Sequence, residues 1–480
     1  MLIAGLILIG IIFLLIHFLR SDDTGDSSIP YAKCASYPIV GHLFSFLQDR
    51  TKLLLICSKQ YGDCFRIRIF NQYFTMILSH ADWTNVVRNS AFQFAASDFG
   101  AQIFDLSRAF DGRPDYDADT HRLYTQHLKN REGLRPIVTQ FVRQMRELIK
   151  NDKKVLEKNG NTSEWISSGL LEFSHHMLYQ PSTVALIGDT NPLAAEDDFR
   201  LFDTKFHYFL VPFPRWIASL LLSREFQARS RLNEFWPKSL DPPGSSQFHR
   251  DRLEMFSNHS EWVSDKDKAA LQTAFFWASL GNTIPAVFWS LFYILRDPKA
   301  ISTITEEINT HLPGVPLDGD EDWTPEQLDA CVYLESAVNE TIRLVGAPFM
   351  QRKCVRDAQL VLQDGRTVQF KEGETLAWFG GASHHSEKFF VKPDEFLFDR
   401  FVNKKAESVP GFMPFGGGKS ICPGRFFAKF EIKTCLVMLL RYMEYQIQDT
   451  QTIPTQIRAR IGVGIAPPTK DIPIIYRYKL

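Results

Sequence analysis

Residues 415–425 read Phe-Gly-Gly-Gly-Lys-Ser-Ile-Cys-Pro-Gly-Arg, and no other stretch so narrows what this chain can fold around. Three consecutive glycines let the backbone lie flat against a large planar object, because no Cβ intrudes and positive φ costs little there. Cys422 closes the loop, ahead of an apolar helical pattern over residues 426–442. Pro423 suits the first turn of that helix, and Gly424 leaves room on the same face. A sulfur just before a helix N-terminus meets its dipole and free N–H groups, which favour the anion. Taken alone, a single Cys is more often a small buried hydrophobe. Held as a thiolate against a flat cofactor, it is a metal ligand.

The spacing Phe415-x-x-Gly418-x-x-x-Cys422-x-Gly424 before a long apolar helix resembles the haem-binding loop of the cytochrome P450 family. The resemblance implies haem b with its iron on the Cys422 thiolate, an axial ligand that favours O–O cleavage. It also implies a cofactor bed shaped by Phe415, Gly416, Gly418 and Gly424. Two usual landmarks are missing. Residues 117–126 offer His121 and Arg122 but no Trp-x-x-x-Arg, and Ser420 stands where many members carry Arg or His. Arg352, in the run Gln351-Arg-Lys-Cys354, follows where many members place a propionate-binding Arg and takes that role by resemblance.

With 480 residues, 45% hydrophobic and 23% charged, the chain can bury a large core. No repeat or long linker divides it, so one large, mainly helical domain behind an N-terminal anchor is expected. A formal net charge of −1 gives no reason to expect nucleic acid as a partner. The seven cysteines, at 34, 57, 64, 331, 354, 422 and 435, are odd in number and lack C-x-x-C spacing. They read as reduced thiols facing the cytosol rather than a disulfide framework or zinc site.

Residues 2–19 are apolar except for Gly5, Gly10 and His17. That stretch makes about 27 Å of helix, enough to span a thin bilayer such as that of the endoplasmic reticulum. A basic n-region and a small-x-small cleavage site are lacking, so residues 1–20 read as an uncleaved anchor. Residues 21–41 form a polar, proline-punctuated connector, and 42–480 the catalytic domain. Residues 61–68 and 73–78 carry the pattern of paired strands, and residues 361–376 that of a hairpin around Asp364-Gly365. Residues 206–222 form an aromatic island broken by Pro212 and Pro214; it reads either as core or as the family's lid, dipping into the membrane.

Residues 269–295 read as one long helix, apolar nearly all round, with Pro285 kinking it one turn beyond Gly281 and Asn282. The run from Trp277 to Trp289 resembles the oxygen-side helix of the branch holding sterol 7α- and 12α-hydroxylases and prostacyclin synthase. The family's acid–hydroxyl pair is replaced here by Gly281 and Asn282. An amide orients water and donates hydrogen bonds but does not titrate near neutral pH. Proton delivery is therefore expected to run through water held by Asn282, with Thr283 beside it, as the catalytic residues.

Thr324, Pro325 and Gln327 spell a capped helix start. Downstream, Glu340 and Arg343 share a helix face. By resemblance they join Arg400 in a buried three-member ion network beneath the haem, with a structural role. The expected fold is mainly α with a minor β-rich lobe, the cytochrome P450 fold with an N-terminal transmembrane helix. The expected function is hydroxylation of a lipophilic substrate, a sterol or steroid first, with electrons from NADPH through NADPH–cytochrome P450 reductase. One alternative is a haem-thiolate isomerase of a fatty-acid endoperoxide or hydroperoxide, and another is a non-catalytic haem- or lipid-binding protein.

Overall fold

The computed structural model describes residues 28–479 apart from 38–39, 71, 95, 111–112, 159–164, 211–214, 237–241, 313 and 315–322. The anchor over residues 1–20 lies outside the described residues, as do Pro212 and Pro214 of the aromatic island. Of the connector, Ile29 and Ala32 are buried and Ala32 N–H donates to the Arg66 carbonyl at 2.8 Å, so this part docks on the sheet.

Helix α1 (Leu43–Tyr61) contains one non-helical residue, Asp49, where the chain kinks. Strands β1 (Cys64–Ile69) and β2 (Gln72–Ile77) pair antiparallel, with Phe65, Ile67, Met76 and Ile77 buried. With β3 (Phe92–Gln93), β5 (Phe349–Cys354) and β8 (Thr375–Phe379) they form one sheet, in the order β1-β2-β8-β5-β3. A second sheet joins β4 (Ile166–Gly169), β10 (Pro473–Tyr478) and β9 (Met443–Ile447). The hairpin of β6 (Ala358–Val361) and β7 (Thr367–Phe370) turns at Gly365, where φ is +85°.

The rest is largely helical. The helices that position the site are α2 (Arg131–Lys158), α3 (Leu170–Leu186), α4 (Glu196–Thr204), α5 (Asp265–Leu280), α6 (Thr283–Arg296), α7 (Val332–Val345) and α8 (Arg425–Tyr442). A capping box opens α5: the Ser264 hydroxyl accepts Asp267 N–H, and the Asp267 carboxylate accepts Ser264 N–H. The long helix expected over residues 269–295 is two helices, broken at Gly281 and Asn282. Pro285 sits in the first turn of α6, where its missing N–H would have no partner in any case. Within the described residues, 265–296 is the one stretch long and apolar enough to cross a membrane. With 72% of its apolar window buried, it is a core element packed on α3, α7 and α8.

One expectation about the cysteines is corrected. Cys34 and Cys57 form a disulfide, with Cα atoms 6.2 Å apart, while Cys64, Cys331, Cys354, Cys422 and Cys435 are free. The connector folds over α1 and brings the two together. Their separation of 23 residues in the chain carries no motif that would announce it.

Candidate active site

Among the described residues, one continuous cavity of about 2620 Å³ opens into the molecule. Phe415, Gly416, Ser420, Cys422, Pro423 and Gly424 line one wall, and Ala278, Ser279, Asn282 and Thr283 line another. The loop is fixed by its own backbone. Cys422 N–H donates to the Phe415 carbonyl at 2.9 Å, and Arg425 Nη1 donates to the Cys422 carbonyl at 2.9 Å. At Gly418 φ is +64°, and a Cβ there would stand 2.4 Å from the Val87 carbonyl oxygen, so only glycine fits. The helix behind it starts at Arg425 with Gly424 as its cap, which leaves Pro423 just outside the first turn.

The Cys422 side chain is open to the cavity. Burial pushes the thiol up, against the backbone N–H groups of Gly424 and Arg425 and the Arg425 charge. Cys422 would hold a metal ion as the thiolate, so binding would release that proton. A glycine-lined bed with one open sulfur would suit a flat, metal-bearing macrocycle held by Cys422. Among the described residues no group of three His, Cys, Asp or Glu could hold a metal without one.

Arg352 on β5 is buried, lines the cavity, and donates to the Gly417 carbonyl at 3.3 Å and to its neighbour's carbonyl, Gln351, at 2.7 Å. It thus stands beside the glycine run with a guanidinium to offer an anionic edge of the cofactor. His121 and Arg122 are exposed, Arg122 pairing with Asp119 at 2.8 Å, and neither lines the cavity.

Glu340 and Arg343 are fully buried on α7. Arg343 grips the carboxylate with two bonds, Nε to Oε2 at 2.7 Å and Nη2 to Oε1 at 2.9 Å, while Arg400 Nε reaches Oε1 at 2.8 Å. The remaining guanidinium donors go to the carbonyls of His384, Pro393, Val391 and Lys392. His384 extends the network toward the cysteine loop: Nδ1 bonds the Gly346 carbonyl at 2.6 Å, and Nε2 accepts Met413 N–H at 3.2 Å. Burial lowers its pKa to about 3, so the imidazole is neutral and can accept that bond.

On the opposite wall, the Asn282 Oδ1 accepts Ile465 N–H at 3.0 Å, and Thr283 Oγ1 donates to the Ser279 carbonyl at 2.8 Å. Its NH2 group makes no hydrogen bond among the described residues and is free to donate to a water or ligand. Behind Thr283 stands Glu431 of α8, which the sequence reading passed over. Burial pushes its carboxyl up to about 8, against the hydroxyls of Ser182 and Thr283. Ser182 donates to Oε1, while Oε2 has no hydrogen-bond partner among the described residues. In the sequence it stands between Lys429 and Lys433, so its local pattern is that of an ordinary charged helix face.

The roof is tied by Asp203, at the end of α4. Its Oδ1 accepts Trp277 Nε1 and Arg460 Nη2, each at 2.7 Å. Phe206 stacks on Trp277, rings 3.5 Å apart and 3° from parallel. The aromatic island therefore divides: Phe206 and Phe209 are core, whereas Leu220 and Leu221 are 74% and 60% exposed.

Comparison with known proteins accounts for this arrangement. Cytochrome P450 7B1 of Mus musculus is 28% identical over 99% of this chain and 95% of its own length. The 7-alpha-hydroxycholest-4-en-3-one 12-alpha-hydroxylase of Oryctolagus cuniculus is 28% identical, covering 92% of each chain. Prostacyclin synthase of Rattus norvegicus is 26% identical over 94% of each. Residues 33–474, which hold the glycine-lined loop, its open cysteine and the facing helix break, match the family model described as Cytochrome P450, and the chain belongs to that family.

Proposed function

We propose that this cytochrome P450 hydroxylates a sterol or steroid drawn from a membrane. The observation that carries the reading is the cavity, which joins Cys422 to the helix break at Asn282 and continues between aromatic walls under the roof at Trp277. Haem held by the Cys422 thiolate supplies dioxygen cleavage and C–H oxidation. Phe415, Gly416 and Gly424 bed the cofactor, Gly418, which packs on Val87 and does not line the cavity, sets the turn of the loop, and Arg352 holds the anionic edge. Glu340, Arg343 and Arg400 fix the segment that leads into the cysteine loop. Asn282 orients water through its NH2 donors, Thr283 stands next to it, and a water bridge carries protons to the oxygen-binding side. The sterol hydroxylases among the relatives support a sterol substrate.

Electrons come from NADPH through NADPH–cytochrome P450 reductase, the arrangement of microsomal members of this family. Residues 1–20 anchor the chain in the endoplasmic reticulum membrane as a single span, with the catalytic domain facing the cytosol. The exposed pair Leu220 and Leu221 beside the roof supports a lid that rests on the bilayer. The prostacyclin synthase relative and the missing acid–hydroxyl pair favour a second reading, isomerisation of a lipid endoperoxide.

The test is product analysis on haem-loaded protein with a sterol panel, with and without NADPH and reductase. NADPH-dependent hydroxysterol formation is expected. Turnover of a lipid endoperoxide without NADPH, and none of any sterol, establishes the isomerase instead.

A further inference from the structure

The cavity has a second polar locus, and its chemistry differs from that of the Cys422 loop. Arg50 follows the kink at Asp49 in α1, and its side chain turns inward instead of into solvent: it is 4% exposed and lines the cavity. The guanidinium lies 4.3 Å from the ring centre of Phe46 and 5.8 Å from that of Phe349. Its one hydrogen bond among the described residues is from Nη2 to the Ala459 carbonyl at 3.1 Å. No carboxylate pairs with it among the described residues, and its Nε is buried without a partner. Burial alone lowers its pKa to about 9, still far enough above neutrality to keep the charge.

Across the Arg458–Arg460 turn, which packs on both α1 and residues 206–209, is His207, 4% exposed and lining the same cavity, whose Nδ1 is likewise buried without a partner among the described residues. Burial and then the charges of Arg460, Arg50 and Lys205 lower its pKa to about 3. Those couplings put His207 within the field of both arginines. Arg460 is neutralised by Asp203. Arg50 is not neutralised among the described residues, so the locus carries an excess positive charge, and the donors it leaves to the cavity are Arg50 Nη1 and His207 Nε2, which make no hydrogen bond there and are not among the fully buried atoms.

An arginine buried against phenylalanine rings and one carbonyl is left short of the partners that normally offset its desolvation. Gly462 makes the room: φ there is +100°, and a Cβ would stand 2.5 Å from Arg50 Nη1. A ligand carboxylate matches the locus, because it accepts from the guanidinium fork and from an imidazole N–H together. We infer that Arg50 and His207 form a carboxylate-binding subsite, so that the preferred substrate is an acidic lipid: a sterol with a carboxylated side chain or a long-chain fatty acid. This rests on reading the cavity as the substrate chamber. It narrows the substrate class from lipophilic to amphiphilic and anionic.

The experiment is equilibrium binding to the haem-loaded full chain in detergent. Probes are a sterol side-chain acid, a long-chain fatty acid, and the methyl ester of each. The expected result is about a ten- to hundredfold preference of wild type for one acid over its ester, the range of a charge-assisted hydrogen bond. Whichever acid shows it identifies the lipid body. Arg50→Met abolishes the preference by weakening the acid while the ester stays within about twofold, and His207→Phe, kept as a second variant should Arg50→Met not fold, reduces it. Equal affinity of acid and ester in wild type overturns the subsite, as does a preference that is undiminished in a folded Arg50 or His207 variant. The reduced carbon monoxide spectrum of each sample is recorded separately, so failure of the haem reading is distinguishable from failure of the subsite.

Discussion

Asn282 and Ile465 are 183 residues apart in the chain and joined by one hydrogen bond, Oδ1 accepting the backbone N–H at 3.0 Å. It couples the helix break to the C-terminal turn that forms another part of the cavity wall. Gly464 permits it: φ is +69°, and a Cβ there would fall 1.8 Å from the Asn282 oxygen. Asn282→Ala and Gly464→Ala should therefore both weaken substrate binding by loosening the same turn. The double variant should lose far less than the sum of the two. Substrate-induced spectral titration of the four proteins measures this, and additive losses would refute the coupling. If Asn282 also orients water for proton delivery, Asn282→Ala should yield less product and more peroxide per NADPH oxidised.

Cys422→Ser should remove the long-wavelength Soret band that carbon monoxide gives with reduced thiolate-ligated haem. The serine hydroxyl is not ionised near neutral pH and does not reproduce the sulfur's donation. Absorbance of the purified variant decides it, and a retained band would exclude Cys422 as the ligand.

Glu340→Ala should leave two arginines facing a hole, and Arg343→Ala an unpaired buried carboxylate. Breaking a buried pair on one side costs roughly 3–5 kcal/mol. Both variants should therefore lose haem or fail to accumulate, with haem per polypeptide as the measurement. Full haem content in both would show the network to be dispensable.

Glu431 makes stability depend on pH in an unusual direction. Its carboxyl is raised from 4.5 to about 8 in the folded chain. Between those pH values the folded state holds a proton that the unfolded state has released, so stability falls as pH rises through that window, by roughly a few kcal/mol. Glu431→Gln removes the titration and keeps the shape. Between pH 6 and 9 the wild-type Tm should fall relative to that of the variant; parallel curves would place the carboxyl in an ordinary ionised state.

The sequence by itself determined the centre of this protein. The Phe415–Cys422–Gly424 spacing, the apolar helix behind it and the Glu340–Arg343 step are local patterns, set within a few residues by glycine conformations and helix periodicity. The same holds for the Thr324 capping box and the β6–β7 hairpin, whose turn and cap chemistry is written in adjacent residues. What the tertiary structure alone decided depends on contacts between distant segments. The break at residues 281–282 takes its meaning from Ile465, and the Cys34–Cys57 disulfide from the fold of the connector over α1. Glu431 is raised because α3, α6 and α8 exclude water around it. Arg50 looks like one more charge on an amphipathic helix until the kink at Asp49 turns it inward. Burial and pairing are properties of the packed chain, and they fix the charge of a side chain more strongly than its neighbours in sequence do.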